Sequence, residues 1–418
     1  MFSKNLKKKA ILYSLYSFSL LIPLNQRIST IALLFWLIIS IILVKPSKIN
    51  SNKTLLILPA LYFIYVLSLI YSDNFSFKFF EQKASLVVFP LIFYLNGYSY
   101  NTKTINKAIT FFVMGCFISL LCCFVVATYH SINFNEAGFD FKTQVLDNEI
   151  LVDSSIYGGN YFFGSWFSVF HQNTYLAMYL CFAIHCLLSN PNIVPKLKHK
   201  AALTLFFCLG LFLLSSKAGL LILILILFFH ILKTIKSKII LTSSLLIFLS
   251  LASLFLILNP RTKEAISNFY NRGITFHPED NDSMSLRLMT WESSLKIIAE
   301  NPVFGVGVGD AYSALREKYK SKRYIVPYRL RLNAHNQYFQ ILVECGFLGL
   351  LLLFSHIFLL ITKKHDSVHI KNLSFGFLVI IIINFLFESI LNKYSGLSFY
   401  TFFLCLFLIK NRPKVKVY

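Results

Sequence analysis

Residues 200–258 read KAALTLFFCLGLFLLSSKAGLLILILILFFHILKTIKSKIILTSSLLIFLSLASLFLIL. A helix that spans a bilayer needs about 20 mostly apolar residues. This stretch holds three such runs, at 200–216, 218–234 and 238–258. The first two are nearly continuous, split only by Ser215-Ser216-Lys217. A charge in so apolar a setting marks either a turn or a functional site. The rest of the chain has the same character. Of its 418 residues, 56% are hydrophobic and 14% charged, and the mean hydropathy is +0.65. Soluble domains carry about 25% charged residues, so most of this surface must face lipid. The 44 Phe suit lipid-facing helices and the 22 Tyr suit the headgroup belt. The fold class is all-α: a polytopic membrane protein.

Working outward, twelve apolar runs are expected to span, at roughly 10–24, 28–44, 54–71, 80–97, 107–129, 168–189, 200–216, 218–234, 238–258, 336–362, 371–391 and 396–410. Lysine and arginine fix their orientation, because cytoplasmic loops retain them. With the N-terminus inside, the cytoplasmic segments hold 22 basic residues and the short outer segments hold 6. The other 12 of the 40 fall in 259–335, and long translocated loops escape the rule. Both termini are therefore expected in the cytoplasm. The same distribution accounts for the net charge of +22 without nucleic acid, for which there is no motif. Lys4, Lys7, Lys8 and Lys9 precede the first run as they would in a signal peptide. No small-residue cleavage site follows, so a first transmembrane helix is expected there. The chain thus divides into a bundle of about nine helices at 1–258, an outer loop with short helices at 259–335, and about three helices at 336–418. The eight cysteines all lie in apolar runs without zinc spacing, and read as packing residues.

Two outer segments exceed a turn. One, 130–167, is acidic, with Glu136, Asp140, Asp147, Glu149 and Asp153. The other, 259–335, is the longest polar stretch, and loops of that length are usually functional. Within it, 283–300 reads as a helix capped by Asp282 or Ser283, with Met284, Leu288, Trp291, Leu295 and Ile298 along an apolar face. Arg287 lies four residues before Trp291, so it can stack on the indole. Asn-Pro-Val-Phe-Gly-Val-Gly-Val-Gly follows at 301–309. Its glycines do not make a nucleotide loop, because the spacing is wrong and no strand precedes them. The loop ends on His335-Asn336, and nine residues later come Gly346-Phe-Leu-Gly349.

His335 sits where polar loop meets apolar helix, and imidazole suits a general base. Continuing the helix back to His335 puts Gly346 and Gly349 within about 40° of it, roughly 16–21 Å deeper. Such a groove would accept a neighbouring helix or a polyprenyl chain. Just before His335, the segment 316–331 carries Arg316, Lys318, Lys320, Lys322, Arg323, Arg329 and Arg331 against a single Glu317. A solvated charge run and a phosphate-binding surface both fit it. Arg331, four residues before His335, is best placed for the second. His171 opens the sixth run at the outer boundary, where it can line a site or simply start a helix. Glu344 and Glu388 lie inside apolar runs, where acids are functional candidates or pair within the bundle.

Taken together, Arg287 and Trp291, the Asn301–Gly309 stretch, and His335-Asn336 with its Gly346 and Gly349 resemble the O-antigen ligase and O-antigen polymerase superfamily. The resemblance covers roughly residues 200–365. It implies transfer of a glycan from undecaprenyl pyrophosphate to an acceptor hydroxyl at the outer face of a bacterial inner membrane. It implies His335 as the base, with Arg287 and Lys217 gripping the pyrophosphate. At Lys217 the family often has a Ser-Arg-Gly-like step, and this chain has Ser216-Lys217-Ala218-Gly219. Lysine can hold a diphosphate as a point charge but lacks the bidentate fork. Arg331 is a further candidate for the phosphates, and His171, Asn336, Trp291, Gly346 and Gly349 for lining the site.

No cofactor is expected, and no metal-ligand spacing stands out, so a metal-independent, inverting enzyme is expected. The His-Asn spacing favours a ligase acting on the lipid A core over a polymerase acting on another lipid-linked glycan. A lipid-linked-sugar transporter would show repeated halves with broken helices, and no such symmetry is visible.

Overall fold

The computed structural model describes residues 4–44, 53–135, 138–145, 159–365 and 367–409. Glu136, Asp147, Glu149 and Asp153 of the acidic segment lie outside the described residues, as do Lys45, Lys48, Lys410, Arg412, Lys414 and Lys416 of the segments expected in the cytoplasm. The helices in chain order are α1 (Lys4–Leu21), α2 (Gln26–Ile42), α3 (Pro59–Ser68), α4 (Lys78–Lys83), α5 (Ser85–Asn96), α6 (Thr102–Ser131), α7 (Asn173–Ser189), α8 (Leu197–Leu214) and α9 (Lys217–Thr234). They continue as α10 (Lys238–Leu258), α11 (Pro260–Arg272), α12 (Ser283–Glu300), α13 (Ala311–Ser321), α14 (Ile325–Leu330), α15 (Gln337–Thr362), α16 (Val368–Phe387) and α17 (Tyr394–Leu408). The fold is helical, and among the described residues seven helical segments are long and apolar enough to cross a membrane. The all-α expectation needs one correction. Ile132–Asn135 and Gly138–Phe141 pair as a short antiparallel hairpin, with Ile132 opposite Phe141.

The chain forms two compact units. One comprises residues 16–30 and 106–271. Its central helix is α7, buried on every side from Tyr175 to Cys181 and beyond. A helix that is apolar all round belongs in a core or in lipid. Helix α10 shows the other outcome, since its 21 residues include none that is buried. An exposed apolar surface of that extent requires a lipid or protein cover.

The other unit comprises residues 1–15, 31–105 and 272–418. Its central helix is α17, where every residue from Ser395 to Leu408 is buried. Trp36 packs edge-on against Phe89, Phe93 and Phe402, with ring centroids 5.5–6.3 Å apart. Such edge-to-face aromatic pairs add about 0.5–1.5 kcal/mol each beyond the area they bury.

Two expectations within this unit are overturned. The first concerns α12. Asp282 does cap it, accepting hydrogen bonds from the Met284 and Ser285 amides. The buried face, however, is Ser285, Met289, Thr290, Ser293, Ser294 and Ile297, while Met284 and Leu295 stay exposed. The hydroxyls explain this. Ser293 and Ser294 donate to the carbonyls of Met289 and Thr290 at 2.8 and 2.7 Å. A small side chain that satisfies itself on its own helix can be buried at little cost. Met289 and Ile297 then join Ala311, Leu315, Tyr319, Tyr324 and Val343 in one small core.

The second concerns the glycines of α15. His335 lies before this helix, and Gly346 interrupts it at φ +61° and ψ −158°. The continuous face drawn from His335 through Gly346 therefore does not exist. The break instead receives the 301–309 segment. The Val306 amide donates to the Val343 carbonyl at 2.8 Å, and the Phe347 amide donates to the Pro302 carbonyl at 2.9 Å. A Cβ on Gly346 would sit 2.2 Å from the Val303 carbonyl oxygen, and one on Gly305 would sit 2.5 Å from that of Val343. Only glycine permits this approach and this backbone conformation. Gly349 carries no such exchange; a Cβ there would meet the side chains of Cys345 and Ile341.

Gly346→Ala is therefore expected to destabilise the protein well beyond the strain of a left-handed alanine, which is about 1–3 kcal/mol. Gly273→Ala is the control. Gly273 has φ +64° with nothing within 4 Å of its would-be Cβ. Thermal unfolding in detergent should show the Gly346 variant losing clearly more. Equal losses would mean that the close approach contributes nothing.

Candidate functional site

The break in α15 fixes the level of that helix, and its first turn is secured by capping. Asn336 is the N-cap, with its side-chain oxygen accepting from the Tyr338 and Phe339 amides at 2.9 and 3.1 Å. Its amide nitrogen donates to the Leu386 carbonyl near the end of α16, at 3.2 Å. One side chain thus starts one helix and ties down the end of another. Asn336, expected to line a site, is placed as a joint.

The candidate residues for chemistry lie on either side of that joint. His335 adopts φ +44°, a conformation rare for a residue with a side chain. It is held there from several directions. The His335 amide donates to Asn333 Oδ1 at 2.9 Å, and the Ala334 amide to Gln340 Oε1 at 3.0 Å. Buried Thr290 donates to the Ala334 carbonyl at 3.3 Å, and Ser389 donates to Asn333 Oδ1 at 3.3 Å. In this position His335 Nδ1 faces Glu388 Oε2 at 3.5 Å. That separation is an ion-pair contact rather than a formed hydrogen bond, consistent with Nδ1 being buried without a hydrogen-bond partner.

Arg287 of α12 closes the third side. Its Nη1 donates to the Ser283 carbonyl at 2.9 Å and to the Ser283 hydroxyl, and its Nε reaches the Phe387 carbonyl at 3.4 Å. Phe387 immediately precedes Glu388. The Glu388 carboxylate thus faces the His335 ring, with the Arg287 guanidinium tied to the preceding residue. Burial disfavours the Arg287 charge, and Glu388 supports it. The site is a histidine facing a carboxylate, with a fixed guanidinium beside them. Such a carboxylate can select the imidazole tautomer and stabilise imidazolium, leaving the other ring nitrogen to take a proton. The anticipated stacking of Arg287 on Trp291 does not occur. Trp291 packs edge-on against Phe339 instead, with centroids 6.0 Å apart.

Beneath this site lies a buried polar hub. Lys83 Nζ donates to the Leu391 carbonyl at 2.9 Å and to Asn392 Oδ1 at 2.7 Å, and lies 4.0 Å from Glu344 Oε2. Glu344 Oε1 accepts from Gln340 at 2.7 Å and from Asn392 at 3.0 Å. Gln337 Oε1 accepts from the Leu391 amide at 2.7 Å. The chain from Lys83 and Glu344 through Gln340 therefore reaches Ala334, and through Asn392 and Leu391 it reaches the turn that follows Glu388. Glu344 is paired within the bundle. Lys83, counted from sequence only as an outer charge, is its partner.

The basic run before His335 separates into two groups. Lys318 pairs with Glu300 at 2.5 Å and Lys322 with Glu292 at 2.6 Å, while Arg316 lies over the Tyr328 ring at 4.6 Å. Lys320, Arg323, Arg329 and Arg331 are exposed and make no ion pair among the described residues. Arg331 itself ends α14 in the left-handed region at φ +54°. Lys217 and His171 belong to the other unit. Lys217 is the first residue of α9, capped by Ser216, and lines an apolar groove of about 330 Å³ with Leu220 and Phe269. His171 is buried at 5% exposure and packs edge-on against Tyr179.

Residues 202–354, just over a third of the chain, match the family model described as O-antigen ligase. The match supports the superfamily of O-antigen ligases and polymerases read from the motifs, and with it a membrane glycosyltransferase type of activity. No curated protein matched the sequence.

Asn336→Ala should cost about 1–2 kcal/mol, as loss of a helix cap usually does. Asn336→Asp keeps the cap while losing the bond to Leu386. Thermal unfolding should rank the wild type and the Asp variant above the Ala variant. An Ala variant as stable as the wild type would remove the capping role.

Proposed function

We propose that this protein is an O-antigen ligase, transferring a glycan from undecaprenyl pyrophosphate to a hydroxyl of the lipid A core. The observation that carries the reading is His335 facing Glu388 at 3.5 Å, with Arg287 tied to the residue before Glu388. In this reading twelve helices span the inner membrane, both termini are cytoplasmic, and 259–335 forms the periplasmic loop bearing the site.

His335 takes the proton from the acceptor hydroxyl, and Glu388 holds the ring and stabilises the imidazolium. The acceptor oxygen forms its bond to the anomeric carbon from the side opposite the leaving group, and configuration inverts. The bond from that carbon to the pyrophosphate oxygen breaks, and its electrons leave with undecaprenyl pyrophosphate. Arg287 neutralises the charge that develops on the leaving group, and Arg331 adds an exposed cation for the phosphates. Fixed cations do here what a metal does elsewhere, so no metal or cofactor takes part.

The test is deletion of the gene followed by glycan gels. Loss of long chains from lipid A, with polymer accumulating on the lipid carrier, is the expected result. Single-repeat glycan would instead identify a polymerase. His335→Ala should insert normally and lower transfer by at least about 100-fold, and appreciable activity would exclude it as the base. Arg287→Ala should impair donor use more than Arg287→Lys does. Near-normal rates in both would remove Arg287 from the site.

A further inference from the structure

Helices α6 and α8 touch at one end and part at the other. They close where Gly210 of α8 admits Leu120 of α6, whose methyl carbons lie 2.6 and 2.8 Å from where a Cβ would stand. Phe117 and Phe206 meet just beyond, with centroids 5.5 Å apart. Past that contact the helices leave a groove of about 530 Å³. Its walls are matched stripes: Thr110, Val113, Met114 and Phe117 on one helix, and His199, Ala202, Leu203 and Phe206 on the other. Each stripe follows the i, i+3, i+4, i+7 spacing of one helical face. The groove is about 10 Å long and almost wholly apolar.

Its mouth is basic. Lys196, Lys198 and Lys200 flank His199 at the start of α8, and Lys107 stands one turn before Thr110 on α6. None of these lysines makes an ion pair among the described residues. The sequence offers them no nearby partner, since no Asp or Glu occurs from 82 to 135 or from 154 to 263. The first turn of α8 also presents the unpaired amides and positive end of a helix dipole. An apolar slot between two membrane helices, opening on uncompensated cations, has the chemistry of a lipid with an anionic headgroup.

We propose that this groove binds an anionic phospholipid, with an acyl chain between α6 and α8 and the phosphate against Lys196, Lys198, Lys200 and Lys107. His335 is not among the residues that line it. On the topology above, it opens to the cytoplasmic leaflet.

The test uses the full chain purified in mild detergent. Phosphatidylglycerol, phosphatidylcholine and undecaprenyl phosphate are added in turn, and bound lipid is counted by native mass spectrometry. Phosphatidylglycerol should be retained in preference to the other two. Removing one lysine should weaken retention about fivefold, and Lys196→Gln with Lys198→Gln and Lys200→Gln should weaken it further. Ala202→Phe, which fills an exposed wall of the groove, should also displace the lipid while leaving helix content and thermal unfolding unchanged. Equal retention of phosphatidylcholine, or retention unchanged in both variants, would overturn the site. Preference for undecaprenyl phosphate would overturn the assignment to phospholipid.

Discussion

The structure around the candidate site depends on one backbone exchange. Helix α15 breaks at Gly346, and a break within an apolar helix leaves a carbonyl and an amide without partners. In a membrane each such group costs several kcal/mol unless other protein groups satisfy it. Here the 301–309 segment does so, giving the Val306 amide to Val343 and taking the Phe347 amide at Pro302. The segment is then anchored elsewhere too. Asp310 accepts from the amides of Asp73 and Asn74 at 2.7 and 3.0 Å, and the Val308 amide donates to Ser68. Helices α12 and α13 hang from the two ends of this segment, so their height against α15 is set by it.

That height matters because the site is assembled from three separate places in the chain. Arg287 comes from α12, His335 from the turn into α15, and Glu388 from the turn out of α16. Asn336 ties the last two together, and the Lys83–Glu344 hub braces both from below. A buried ion pair of this kind gives little net stability, but removing one partner leaves an uncompensated charge. Its value here is positional. It leaves few ways for the His335 turn and the Glu388 turn to move apart.

Much of this was legible in the sequence, and the failures have physical causes. The seven long apolar helices among the described residues were readable because a span must be long and uncharged. The Asp282 cap was readable because capping is local. That His335 falls in the turn into α15 was readable, because a polar loop meets an apolar run there. The buried face of α12 was not, because Ser293 and Ser294 hide their hydroxyls on their own helix and so behave as small core residues. The geometry of Gly346 was not, because spacing records where a glycine falls and not its backbone angle. Glu388 stood out as an acid among apolar residues, but its partner could not be read. That contact exists only because the end of α16 meets the start of α15. Lys83 gave no signal, since nothing local distinguishes a lysine destined for a buried glutamate from one in water.

The central claim is that His335 and Glu388 work as a unit on the acceptor proton. A double-mutant cycle on transfer rate tests it most directly, using His335→Ala, Glu388→Gln and both together in membranes with equal amounts of inserted protein. Groups that act as one are strongly non-additive. The double variant should therefore be no slower than His335→Ala alone. Losses that multiply would show two independent contributions and contradict the account.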